Sequence, residues 1–591
     1  MQTALHRFHV PVMGTGFTID SALRVAKLGI STVISLVDDH LIERVRRHYA
    51  AVHGFPEEPI GSREPDSRAR RITAYLDLID TVVARQMAEI RALPLEPGND
   101  KWRYLSLLDD ASPLKDLFRV ARIAEGRERE ELDAAISAQM RPGGVGVNIM
   151  TKLDRAREGG ASMSDAKAAL RGFARSRLSG SLVLSAGINP ALFSCLEEHP
   201  CFFRDAEGGL QKTVVLKVSD LRSALIQGKF LAKKGIEIAE FRIESGLNCG
   251  GHVFATDGEL LGPILEEFKH ERSRFPALFE PLLEKARGPL HPSARGRRIP
   301  VTVQGGVGTH GEMRRLLEGY GMDAVGWATP FLLVPEVVLM DDETRAQLAA
   351  STERELYVSD ASPLGVPFNN LRDSSSERWT RERVEAGTPG SPCPNGFVAL
   401  STDASGKQIC AASAEYQGAK IKELGYATPP SWEEADETVR AIYAKACICH
   451  HLGNGTLRAL GISRSELPVA VCPGPNLAYF DRTCELEEMV DHIYGRGASL
   501  TPPDRPHLFA KELGLYVEHL EKLAAAAKDA KAQRAVEAFA ANLLLGLDHY
   551  AKLGAEIPYP GENLESLREA LGPQRARITA LAGAKRAALP A

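Results

Sequence analysis

The chain has 591 residues, 44% of them hydrophobic, and its 72 basic and 77 acidic side chains give a formal net charge of -5. That balance excludes bulk electrostatic attraction to nucleic acid or an anionic membrane, and no run of about 18 uncharged apolar residues is present to span a bilayer. The length allows roughly four domains, fewer if one is a barrel.

The N-terminal stretch MQTALHRFHVPVMGTGF has no apolar run followed by a small-residue cleavage site, so a cytoplasmic protein is expected. In a reducing compartment the nine cysteines are expected as metal ligands or reactive thiols, not disulfides.

In chain order, eight short β-branched runs recur: His9–Met13, Ser31–Leu36, Val145–Met150, Ser181–Ser185, Thr213–Val218, Ile236–Ile243, Ile299–Gln304 and Asp323–Trp327. Most are followed by a Gly, Asn or Ser turn and a segment of helical periodicity. Eight strands alternating with helices predict an α/β fold, a (β/α)8 TIM barrel over residues 1–345; a doubly wound sheet is the alternative. Residues 37–142 are charged and helix-patterned, a helical insertion. From 346 to 500 a Pro-, Gly-, Ser- and Cys-rich stretch reads as irregular backbone. Residues 501–591 read as a helical tail that packs on the barrel or on a second copy in a homodimer.

Barrel enzymes place their chemistry at the C-terminal strand ends. After the seventh run comes Gln304-Gly305-Gly306-Val307-Gly308, and after the eighth Trp327-Ala328-Thr329-Pro330-Phe331. Glycines there let backbone N–H groups approach a phosphate. After the sixth run comes Gly246-Leu247-Asn248-Cys249-Gly250-Gly251-His252. A histidine so placed either exchanges a proton near neutrality or caps the following helix. Lys217, near the end of the fifth run, is a cation for a reduced flavin or a carboxylate, or else a surface salt bridge.

With these residues the chain resembles the FMN-binding TIM barrels of the nitronate monooxygenase (2-nitropropane dioxygenase) group. Related to that group are FMN-dependent enoyl-acyl-carrier-protein reductases and acyl-carrier-protein dehydrogenase/isomerases. The resemblance runs through Pro11-Val12-Met13-Gly14, Val147-Asn148, the Gly-Gly-His element, Gly305-Gly306-Val307 and Ala328-Thr329-Pro330-Phe331, over roughly residues 8–340. It implies an FMN phosphate on Gly305, Gly306, Ala328 and Thr329. The flavin ring would lie beside Met13, Gly14 and Asn148, with Lys217, Gly250, Gly251 and Gln304 also at the cofactor and His252 as proton acceptor or donor. The chain departs from the pattern at Ser245, Asn248, Cys249 and Ala328, which leaves the substrate open.

Cys393, Cys410, Cys447, Cys449 and Cys472 fall in one region of Pro and Gly turns, where irregular backbone can aim several sulfurs at one metal. A [4Fe-4S] cluster is the first expectation, zinc the second and unrelated buried cysteines the third; His450 or His451 are further donors. A cluster would suit electron exchange between flavin and an electron-carrier protein. The expected activity is an FMN-dependent oxidoreduction of a small molecule. The alternatives are dehydrogenation or isomerisation of an acyl thioester, and a non-catalytic metal-binding scaffold. No Gly-x-Gly-x-x-Gly opens a βαβ unit, so no tightly held nicotinamide is expected.

Overall fold

The computed structural model describes residues 5–151, 154, 164–185, 187–249, 256–393, 395–403, 405–463 and 467–583. Eight parallel strands close in sequence order: β1 (Phe8–Val10), β2 (Ser31–Ser35), β3 (Val145–Ile149), β4 (Gly180–Leu184), β5 (Lys212–Val218), β6 (Ile238–Glu244), β7 (Val301–Gln304) and β8 (Ala324–Gly326). Each predicted run supplies one of them. Because β1 pairs with both β2 and β8, the sheet has no edge, which sets aside the doubly wound alternative. The first strand is shorter than its apolar run because Pro11 has no N–H to continue the ladder.

Side chains alternate in and out of the barrel. On one side the interior is apolar: Val33, Val183 and Val215 pack with Val12 in a cluster separate from the main core. Gly146 lies between them, where an added Cβ would sit 3.1 Å from Val33 and 3.2 Å from Val183. On the other side it is charged. Glu240, Arg242 and Glu244 occupy every second position of β6, and register sets Lys217 beside Arg242 and Glu244 beside Gln304. Such charges persist in an interior only when paired, as Arg242 Nε is with Glu240 Oε1 at 2.8 Å.

The connection from β2 to β3 carries the helices Asp39–His53, Ser67–Ala92, Asp100–Leu107, Pro113–Ala121 and Gly126–Gln139, the expected insertion. Its long helix lies on the helix Asp165–Arg175, so close at Gly172 that a Cβ there would sit 2.8 Å from Ile72.

The stretch from 346 to 500 is more regular than its composition suggests. It holds the helices Ser375–Glu385, Ala414–Glu423, Glu437–Tyr443, Ile448–Ala459 and Leu486–Tyr494. Ser374, Ser413 and Asp436 cap the first three by accepting from Glu377, Tyr416 and Val439 N–H. Short capped helices between turns are hidden when composition is averaged over the region.

The tail helices Leu508–Ala526, Ala530–Gly554 and Leu564–Gly583 lie against the barrel. The Glu512 carboxylate accepts from Leu261 N–H and from Tyr550 Oη at 2.7 Å, and Tyr550 Oη accepts from Gly262 N–H, so both residues reach the helix that follows β6. Among the described residues no helix is long and apolar enough to cross a membrane.

Candidate active site

Three donors converge on Glu244 at the end of β6. Lys217 Nζ lies 2.8 Å from Glu244 Oε1, Asn248 Nδ2 2.8 Å and Gln304 Nε2 3.0 Å. A carboxylate accepts only, so both amides must turn nitrogen toward it and oxygen away. Among the described residues, Asn248 Oδ1 and Gln304 Oε1 are then buried without a partner, as are Asn148 Oδ1 at the end of β3 and Trp327 Nε1 after β8. Burial holds His9, beside Gln304, well below the ordinary histidine range and therefore neutral. Lys217 is the buried partner of Glu244, the two side chains 9% and 14% exposed, so the salt bridge expected at the surface is a buried one.

The loop after β7 takes backbone conformations that favour glycine, with φ +104° at Gly305 and +84° at Gly306. An added Cβ would sit 2.9 Å from Asn248 Cα at Gly305 and 2.5 Å from Leu247 at Gly306. The N–H groups of Gly305, Gly306 and Val307, and those of Ala328 and Thr329 after β8, have no acceptor among the described residues. All five residues are buried. Buried backbone donors are rarely left unpaired, and a cradle of them is what a phosphate takes.

Residues far along the chain hold this loop. Arg505 Nη2 donates to Gly306 O at 2.9 Å, Nη1 meets Glu312 Oε1 at 2.6 Å and Nε donates to Asn476 Oδ1 at 2.8 Å. Asn476 Nδ2 donates to Val307 O at 2.7 Å, and Glu312 Oε2 accepts from Gly308 N–H at 2.8 Å. Burial lowers His492 to about 4, so it is neutral. Its Nδ1 accepts from Leu500 N–H, which leaves Nε2–H to donate to Gly308 O at 2.9 Å. Gly474 N–H donates to Thr329 Oγ1 at 3.2 Å.

On the β1 side Met13 is fully buried, its N–H bonded to Thr18 Oγ1 at 3.2 Å, and Gly14 turns at φ +56° beneath Leu452. The helix Ile448–Ala459 covers this loop. Thr456 Oγ1 donates to Gly16 O and Thr15 Oγ1 to Cys449 O, each at 2.9 Å. Gly250, Gly251 and His252 lie outside the described residues. Cys249, just before them, is buried and bonds through its thiol to Cys472 O at 3.3 Å.

All nine cysteines are free thiols. The expected set of five divides: Cys472 belongs to the main core, whereas Cys393, Cys410, Cys447 and Cys449 share a small separate cluster. Among the described residues no three His, Cys, Asp or Glu side chains are arranged round one point as metal ligands. An iron–sulfur cluster held by the five cysteines therefore gains no support.

No family model and no curated protein matches the chain. Similar solved structures include FabK from Thermotoga maritima, 13% identical over 83% of this chain and 92% of that one, with a TM-score of 0.35. The enoyl reductase domain of MlnA from the macrolactin biosynthesis cluster of Bacillus amyloliquefaciens is 13% identical over 88% and 97%, with a TM-score of 0.39. Nitroalkane oxidase from Streptomyces ansochromogenes is 10% identical over 83% and 95%, with a TM-score of 0.35. Likenesses this distant carry no conclusion about chemistry, which rests on the site itself.

The described part of the site fits FMN in both halves. Five unpaired N–H groups at the ends of β7 and β8 suit the phosphate, and the unpaired side-chain groups of Asn148, Asn248, Gln304 and Trp327 suit a ring with donors and acceptors on its rim. Sequence reading missed Glu244, although the period-two charges Glu240, Arg242 and Glu244 in an otherwise apolar strand mark it. It also missed Arg505 and Asn476, for which local sequence carries no signal.

A cleft of about 670 Å3 lies outside the barrel mouth, lined by Tyr357, Asn369, Pro473, Pro475, Lys511 and His519 among others. Two contacts tie its wall to the strand ends: Asn369 Nδ2 donates to Asn248 O at 3.1 Å, and Gly474 holds Thr329.

Proposed function

We propose that the chain is an FMN-dependent oxidoreductase with its flavin at the C-terminal end of the barrel. The observation that carries this reading is the set of buried, unpaired N–H groups at Gly305, Gly306, Val307, Ala328 and Thr329, at the ends of two adjacent strands. Bound there, FMN supplies a two-electron acceptor. This chain's residues bind its phosphate on that loop and hold the rim of the ring through amides that Glu244 orients.

Proton transfer falls to His252 in this reading. The sequence sets it three residues beyond Cys249, and an imidazole near its ordinary pKa of about 6.5 can take or return a proton at neutral pH. The substrate is a small molecule entering from the cleft beside Asn369, with nitronate-type oxidation the first class. An acyl thioester is second, and the volume of the cleft suits its longer chain. An iron–sulfur relay to a carrier protein is no part of this reading.

The test is anaerobic purification, release of flavin by heat, and a visible spectrum before and after a nitroalkane or an unsaturated acyl thioester is added. About one FMN per chain, bleached by substrate, supports the proposal. A chain that takes up no FMN on reconstitution overturns it. A His252→Ala chain that binds FMN and turns over as fast as the parent removes the assigned role of that residue.

A further inference from the structure

The end of the barrel opposite the candidate active site carries a second cavity, about 750 Å3 in volume, lined by Phe203, Arg204, Glu237, Leu283, Arg287 and His291 among others. Its walls come from the segments that lead into β5 and β6 and from the end of the helix Phe275–Arg287, so it lies at the N-terminal ends of the strands. Barrels of this kind keep their chemistry at the other end, and no residue of the flavin site lines this cavity.

Most charge here is already paired. Arg204 Nε and Nη2 each meet a Glu237 carboxylate oxygen at 2.7 Å, a fork-to-fork pair whose side chains are 15% and 12% exposed. Arg297 Nε adds a contact of 3.9 Å to the same carboxylate. Arg287 differs. Its guanidinium carbon sits 3.5 Å from the centre of the Phe203 ring, and among the described residues it has neither a hydrogen-bond acceptor nor a carboxylate partner. The stem of Arg287 packs on Gly235, at φ +75°, where an added Cβ would sit 2.5 Å from Arg287 Cγ and 2.7 Å from Nε. Held by a ring and a glycine, the guanidinium is pre-organised, and its in-plane donors remain open for two parallel bonds to one oxyanion. His291 adds a donor: Nδ1 accepts from Ser293 N–H at 3.2 Å, which leaves the ring proton on Nε2. Gly208, at φ +80°, admits that ring, since a Cβ there would sit 2.3 Å from His291 Cε1. Two left-handed glycines thus make room for the two donors.

We propose that this cavity binds a small carboxylic acid with an apolar body, its carboxylate on Arg287. Phe203, Leu283 and Leu290 supply the apolar wall, and the volume falls within the range of about 300–1,000 Å3 usual for small-molecule sites. Charge sets the class. Three guanidinium groups, those of Arg204, Arg287 and Arg297, face the two carboxylates of Asp205 and Glu237, which leaves one positive charge. One carboxylate balances it, whereas a phosphate dianion exceeds it. The occupant is a second molecule, distinct from any oxidised at the barrel mouth, and the site stands whether or not the flavin reading does.

The probes are octanoate and its uncharged amide, octanamide, titrated calorimetrically into the full-length chain with and without added FMN. Octanoate should bind saturably with a dissociation constant below about 1 mM, and FMN should leave that affinity unchanged. Arg287→Met breaks no hydrogen bond within the chain, so the variant should fold as the parent does. It should weaken octanoate by about ten- to a hundredfold and leave octanamide unaffected. Gly235→Ala, which displaces Arg287 from its seat, should weaken octanoate as well. Lys522→Met, in the cleft at the barrel mouth, should change nothing; a loss there equal to that of Arg287→Met would put the acid in the wrong cavity and overturn the proposal. So would a parent chain that binds no octanoate at about 1 mM, an affinity that Arg287→Met leaves intact, or tighter binding of octyl phosphate than of octanoate.

Discussion

Lys217 Nζ lies 2.8 Å from Glu244 Oε1, inside the barrel and at the level of its mouth. Two buried charges of opposite sign stabilise each other only while both are present. Lys217→Met should lower unfolding free energy by about 3–5 kcal/mol, and Lys217→Met combined with Glu244→Leu by much less. Urea unfolding of the two variants checks this; equal losses would show that the pair is not coupled.

Gly306 carries a second expectation. With φ +84° and a Cβ position 2.5 Å from Leu247, Gly306→Ala meets both backbone strain and a collision. A cost of about 1–3 kcal/mol is expected, with loss of bound FMN. Flavin absorbance per chain and the melting temperature are the readouts. Gly406→Ala, also at positive φ but with open space round it, should lose stability and keep the flavin.

Arg505 ties Gly306, Glu312 and Asn476 together. Arg505→Met leaves the buried Glu312 carboxylate without its counter-charge, held only by the N–H groups of Gly308 and Leu508, so a loss of about 3–5 kcal/mol is expected, together with weaker FMN binding. Arg505→Lys keeps the charge but not the fork of donors and should recover the stability only in part. Fluorescence titration with FMN and thermal unfolding separate the two effects.

Glu512 is fully buried, and burial raises its carboxyl from 4.5 to about 7. The folded chain therefore keeps a proton that the unfolded chain releases above pH 4.5. By linkage this stability is present below pH 4.5 and falls as pH rises toward 7. The rise corresponds to about 3 kcal/mol at 1.36 kcal/mol per pKa unit. Glu512→Gln should flatten stability between pH 4.5 and 7, measured by urea unfolding at several pH values.

The barrel was legible because strands buried on both faces read as β-branched runs, and each of the eight was visible without knowledge of its neighbours. The loop after β7 was legible for a similar reason: Gly305 and Gly306 answer a local backbone need. Partners were not. Nothing within a few residues of Lys217 says that Glu244, 27 positions on, will neutralise it, and Arg505 stands 199 positions from the carbonyl it holds. Cysteine spacing could not tell Cys472, which packs in the main core, from the four that share the smaller cluster, because only folding separates them.

The reach of Arg505 back to Gly306 also bears on how the protein is made. The barrel strands end at Gly326, yet the brace on the loop after β7 emerges from the ribosome 179 residues later. A nascent chain can therefore close its sheet well before it has a finished receptacle for a nucleotide. In the proposed reading, cofactor capture becomes a late, essentially post-translational event, and a chain cut short before Arg505 should form a barrel that added FMN fails to load.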